Sequence, residues 1–310
     1  GYLWPTVGAG MGRTLAISLP LLTLTAINLV GVKSGVRTAV FLALGKTVPL
    51  VIFIVAGLPH ISAALASSPI PVKGSMGEAA LLLLFAYAGF ENTAAPAGEF
   101  KNPKRDVPFA LIAQIVLVTL IYSAVQWVCL GTLPGLASSA TPLADSARGF
   151  LGSWAGILMT AGAAISILGT NSNTVLAGPR YLWALADSGF GPAFLAKLHP
   201  KYRTPHWAIL TQTAIALPLA LSGSFVGLAA LSVVARLATY LGTAAALPVL
   251  RKKLTPSPDG VRLPFGPVIP ILAALLCFVL AASATPRNLI AGAIALGVGG
   301  VLYAFKRKPA

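Results

Sequence analysis

The feature that most constrains this chain is a series of long apolar runs separated by short charged connections. Leu15 to Val32 contains no charged residue, a length suited to crossing hydrocarbon rather than to a helix in a water-soluble core. Similar runs recur along the sequence and predict nine spans, at 12–32, 37–57, 77–98, 107–131, 154–177, 207–222, 225–250, 268–284 and 288–305. Only 9% of residues are charged and 56% are hydrophobic, so water could not solvate the surface of such a fold. Lipid satisfies no backbone hydrogen bond, so each span is expected to be a helix, and the runs lack the alternation of a membrane barrel. The predicted fold class is an all-α polytopic membrane protein, with 1–310 forming one transmembrane domain.

The formal net charge of +15 reflects topology rather than nucleic-acid binding. One set of alternate connections holds 16 of the 22 Lys and Arg residues: Lys33 and Arg37; Lys101, Lys104 and Arg105; Arg180, Lys197, Lys201 and Arg203; Arg251, Lys252, Lys253 and Arg262; Lys306, Arg307 and Lys308. The other set holds 4: Arg13, Lys73, Arg148 and Arg287. The remaining two, Lys46 and Arg236, lie inside spans. This bias predicts a cytoplasmic-membrane protein whose C-terminus is cytoplasmic. Nine spans ending inside must begin outside, yet the sequence starts at Gly1 with no methionine, basic n-region or cleavable signal. The expectation is that further spans precede this sequence; an unusual insertion or a different span count are the alternatives.

Cys129 and Cys277 lie in apolar runs and read as small buried hydrophobes. His60, His199 and His206 fall in connections without ligand spacing, so no metal or cofactor is expected. No nucleophile–base pair stands at membrane depth, which argues against an enzyme.

Ionisable residues inside spans are costly and mark function. Lys46 sits nine residues from the nearer end of its span, roughly 14 Å deep at the helical rise per residue. Burial disfavours a charged ammonium, which suits Lys46 to proton exchange; the alternative is a lysine lining a wet cavity or paired with a carboxylate. Glu91 follows Phe85, Ala86, Tyr87, Ala88, Gly89 and Phe90, and Pro96 and Gly98 come soon after. A hydrophobic segment interrupted by Gly and Pro points to a transporter binding site, because a broken helix turns backbone groups toward a ligand. An ordinary kinked helix with Glu91 bound to a neighbour is the alternative. Arg236, one turn before Tyr240, is either a counter-ion or part of an access path. The polar cluster Gly169 to Thr174 either joins helices or lines a cavity. Gly8 to Gly12 and Gly297 to Gly300 read as close helix packing.

Gly89-Phe90-Glu91, followed by Ala97-Gly98-Glu99-Phe100-Lys101-Asn102-Pro103-Lys104-Arg105-Asp106-Val107-Pro108, resembles a signature of the amino acid–polyamine–organocation transporter family. Ile27 to Lys33, Ala184 to Pro192 with Arg203-Thr204-Pro205, and Pro248 to Lys253 support the resemblance. It covers essentially the whole chain. It implies part of a twelve-helix inverted-repeat fold, with the nine spans here matching the fourth to the twelfth. The first span of that family, which holds the substrate carboxylate, has no counterpart in this sequence. By resemblance, Phe85 caps the substrate, Ala86, Tyr87, Ala88 and Gly89 form unwound backbone, and Asn173 faces the substrate. Glu91 and Thr170 match gating or ion-facing positions, and Lys46 matches a lysine that replaces sodium in proton-coupled members. The implied function is secondary transport of an amino acid or related organic cation, probed against two alternatives: an amino acid/polyamine exchanger, and a non-transporting fragment or structural subunit. The implied partners are the amino acid, protons and the lipid bilayer.

Overall fold

The computed structural model describes residues 9–31, 36–67, 75–94, 100–223, 225–253 and 266–304. Eleven helices run through them: α1 Gly10–Val30, α2 Val36–Gly57, α3 Ala63–Ala66, α4 Met76–Tyr87, α5 Pro103–Thr132, α6 Pro142–Leu151, α7 Ser153–Asp187, α8 His206–Ser222, α9 Phe225–Lys253, α10 Val268–Ala282 and α11 Pro286–Ala304. No strand occurs among the described residues. Four helices, α1, α5, α7 and α9, are long and apolar enough to cross a membrane, and Leu44–His60, Val268–Ala282 and Pro286–Val301 are shorter apolar stretches. Large apolar side chains stand on the outside: on α10, Leu272, Leu275, Leu276 and Phe278 are each more than half exposed. Such a surface is a lipid-facing one.

The chain divides into two compact units. The first comprises Gly1–Pro71, Ile121–Gly223 and Gly300–Ala310; the second comprises Val72–Leu120 and Ser224–Gly299. In the first unit, α2 and α6 pack on α7, and α1 packs on α7 and α8. Its core gathers Phe53, Val128, Cys129, Ala144, Ala147, Ala155 and Met159. Small residues set the approach: a Cβ on Gly162 would stand 2.8 Å from the Pro49 ring, and one on Gly131 would strike Ile61. In the second unit, α4 and α10 pack on α9 around Leu81, Val233, Leu237 and Cys277.

Within 77–98, where Gly and Pro lead the sequence to predict an interruption, α4 ends at Tyr87 and a separate short 3₁₀ helix occupies Phe90–Ala94. Two features differ from the sequence expectations. The span at 154–177 continues to Asp187, through Pro179. The stretch Gly297 to Gly300 is not a close-packing stripe, because a Cβ on Gly297, Gly299 or Gly300 would meet nothing within 4 Å. Helix α6 fills a connection that has no apolar run to announce it. It is amphipathic and buries Ala144, Ser146 and Ala147, with Asp145 taking hydrogen bonds from the hydroxyls of Ser139 and Thr141.

Candidate functional site

The start of α4 is fixed by a capping box: the Ser75 hydroxyl accepts from the Glu78 amide and the Glu78 carboxylate accepts from the Ser75 amide. Its end is fixed by Gly89. Ala88 is extended (φ −64°, ψ 142°) and Gly89 has φ 117°, a conformation that side chains on L-residues resist. The helix therefore stops inside a run whose composition, Leu81 to Tyr87, would otherwise continue it.

Two neighbouring helices hold the break from both sides. On α5, Thr119 accepts from the Tyr87 hydroxyl at 3.1 Å, while Gln114 accepts from Thr93 and donates to the Phe90 carbonyl, each at 3.1 Å. On α9, the Arg236 guanidinium forms an ion pair with one oxygen of Glu91, and the Tyr240 hydroxyl donates to the other at 3.4 Å. That second oxygen also accepts from the Gly89 amide at 2.9 Å. The Phe90 ring lies 5.9 Å from that of Tyr240, and Phe85 meets Phe225 edge-on at 5.7 Å. Glu91 thus ties the backbone at the break to α9, with its charge opposed by Arg236. Both side chains are about one-third exposed, so the pair is neither dry nor fully solvated. Nε of Arg236 is buried without a hydrogen-bond partner among the described residues.

The sequence-derived candidates fall into two groups. Phe85, Ala86, Tyr87, Ala88, Gly89, Glu91 and Arg236 belong to the second unit, where the structure brings Glu91, Gly89 and Arg236 together. Lys46, Thr170 and Asn173 belong to the first. Lys46 is mid-way along α2 and exposed. It shares a helix face with Pro49, Phe53 and Gly57, at steps of three and four residues, and those three are buried. Lys46 itself, unlike those three, is exposed. Pro49 also leaves the Gly45 carbonyl without its usual helical donor, which makes the surroundings of Lys46 polar. On α7, Gly169 is buried, while Thr170 and Asn173 are exposed. Residues 95–99, with Pro96, Gly98 and Glu99 of the signature, lie outside the described residues. Gln114 and Thr119 are the site-supporting residues that the sequence reading missed. Among the described residues no group of three His, Cys, Asp or Glu could hold a metal.

A discontinuous apolar helix, with its backbone opened at the break, is the kind of segment that secondary transporters use at their substrate sites. The sequence profile of the amino acid permease family matches residues 10–299. The chain belongs to that family. It is 32% identical to the serine/threonine exchanger SteT of Bacillus subtilis (strain 168), over 98% of this chain and 72% of that protein. It is 29% identical to the methylthioribose transporter of the same organism, over 95% of this chain and 64% of the relative. It is 26% identical to the branched-chain amino acid permease BcaP, again of that organism, over 96% of this chain and 65% of the relative. The chain thus spans about two-thirds to three-quarters of the length of these curated relatives. They are transporters, not enzymes, and the amino acid permease is a multi-pass membrane protein.

Proposed function

We propose that this amino acid permease carries an amino acid, or a related organic cation, across the cytoplasmic membrane by alternating access, in the inverted-repeat fold of its family and with its C-terminus in the cytoplasm. The break in α4 at Ala88–Gly89 is the observation that supports this most. A break in an apolar helix presents peptide dipoles to the ammonium and carboxylate of a zwitterion at membrane depth, where no water competes. Phe85 closes over the substrate and the backbone from Ala86 to Gly89 contacts its polar groups; by the family resemblance Thr170 and Asn173 of α7 are ion- or substrate-facing positions. Glu91 and Arg236 act on gating through the backbone they hold.

Coupling is to protons through Lys46. This rests on the family resemblance, in which Lys46 matches a lysine that takes the place of a sodium ion in proton-coupled members. A second reading, obligatory amino acid exchange, is favoured by the relative named as an exchanger. Proteoliposomes separate the two. Uptake into empty vesicles, driven by an inward proton gradient and lost in Lys46→Met, is the outcome expected of proton coupling. Uptake only into vesicles preloaded with amino acid, indifferent to the gradient, is the outcome of exchange. No uptake from folded, inserted protein under either condition contradicts both and leaves a non-transporting subunit.

A further inference from the structure

Helix α7 runs without interruption through Pro179, whose ring nitrogen has no hydrogen to give to the Val175 carbonyl one turn back. Both residues are buried, so neither water nor a lipid headgroup can meet that carbonyl. The missing donor comes from another helix: the Asn28 side-chain amide of α1 donates to the Val175 carbonyl at 2.6 Å. Asn28 is only 3% exposed, and an amide so placed is costly unless bonded. The α1 segment that carries it is itself pinned. Thr25 bonds Thr213 of α8 at 2.9 Å, and the Thr204 hydroxyl donates to the Leu29 carbonyl at 2.8 Å. Next to it, Gln212 of α8 donates to the Thr174 carbonyl at 3.2 Å, and lies so close to Gly178 that a Cβ there would collide with it.

We infer that Asn28 is a positioning residue that replaces the N–H missing at Pro179 and so maintains a preformed hinge in α7, immediately C-terminal to the polar segment Gly169–Thr174. A proline turn is the natural bending point of a membrane helix. A side-chain donor tracks a carbonyl that moves, because it turns about its own torsions, whereas a backbone N–H would lock the turn. The residues N-terminal to the turn can then reorient without stranding a buried carbonyl. The assignment of α7 motion to transport rests on the function proposed above; the replacement of the donor does not.

Three variants of the full chain test this: Asn28→Leu, which keeps the volume and loses the donor, Pro179→Ala, which restores the backbone N–H, and the two combined. The melting temperature in detergent is read first. Asn28→Leu should lower it by about 4 °C, and Pro179→Ala should return most of that loss in the double variant. Amino-acid uptake is read second. Pro179→Ala, alone and in the double variant, should lower Vmax roughly tenfold with KM nearly unchanged, because a locked turn slows reorientation and not binding. Additive melting losses would overturn the donor assignment. Wild-type Vmax in the double variant would overturn the hinge and leave Asn28 a structural donor. A wild-type chain without uptake would count against the transport reading alone, and the melting comparison would still decide the donor.

Discussion

Arg236, in the middle of α9, is ion-paired with Glu91, 145 positions earlier in the sequence and two residues beyond the glycine that breaks α4. The pair leaves each of these two charges dependent on the other. Neutralising one strands its partner in a low-dielectric setting, whereas neutralising both removes the pair together with its desolvation cost. Because both groups are about one-third exposed, each single change, Glu91→Gln or Arg236→Gln, is expected to cost only about 1–2 kcal/mol. The double variant should be more stable than the sum of the singles implies. Thermal melting of the four proteins measures the coupling, and strict additivity would mean that the pair contributes nothing.

At the break itself, Gly89 is required for its φ of 117° and not for lack of room, since a Cβ there meets nothing within 4 Å. Gly89→Ala should therefore cost about 1–3 kcal/mol through backbone strain, or be relieved by α4 extending across the break. In the second case stability is kept and transport falls. Uptake and melting measured together distinguish the two, and a variant that is unchanged in both would show that the left-handed turn is unimportant.

Much of this was legible beforehand. The all-helical character is legible in the uncharged runs, because lipid leaves a chain no other way to satisfy its backbone, but only four helices among the described residues, α1, α5, α7 and α9, are long and apolar enough to cross a membrane. The interruption near Gly89 was visible from Gly and Pro in an apolar run. The partner of Glu91 was not, because nothing local in the sequence relates positions 91 and 236. The only available signal was that each carries an otherwise uncompensated charge at depth. Helix α7 runs beyond the apolar run to Asp187, and the Asn28 amide that meets its Val175 carbonyl is remote in sequence, so nothing local announces that bond. Gln114 and Thr119 were unreadable for a similar reason, since their role depends on which helix lies beside the break.

The glycines provide a contrast within one sequence. A Cβ on Gly131 would strike Ile61, and one on Gly57 would strike Val128 and press on Phe150, whereas Gly297 and Gly299 have open space. Gly131→Val and Gly57→Val should each destabilise by about 1–3 kcal/mol through overpacking. Gly297→Ala and Gly299→Ala should be neutral or slightly stabilising, because alanine favours the helix. Melting of the four single variants checks the ranking, and equal losses at all four positions would contradict it.

The central claim, that the broken segment of α4 contacts the substrate, is most directly tested by labelling. The chain contains two cysteines, Cys129 and Cys277, so Cys129→Ser and Cys277→Ser provide a background without thiols. In that background Ala86→Cys, exposed beside the break, is treated with a methanethiosulfonate reagent in proteoliposomes with and without single amino acids. The account predicts that at least one amino acid slows labelling in a saturable way, and that the same one is taken up. Labelling at the same rate with every amino acid, in protein that transports, would contradict it and put the substrate elsewhere.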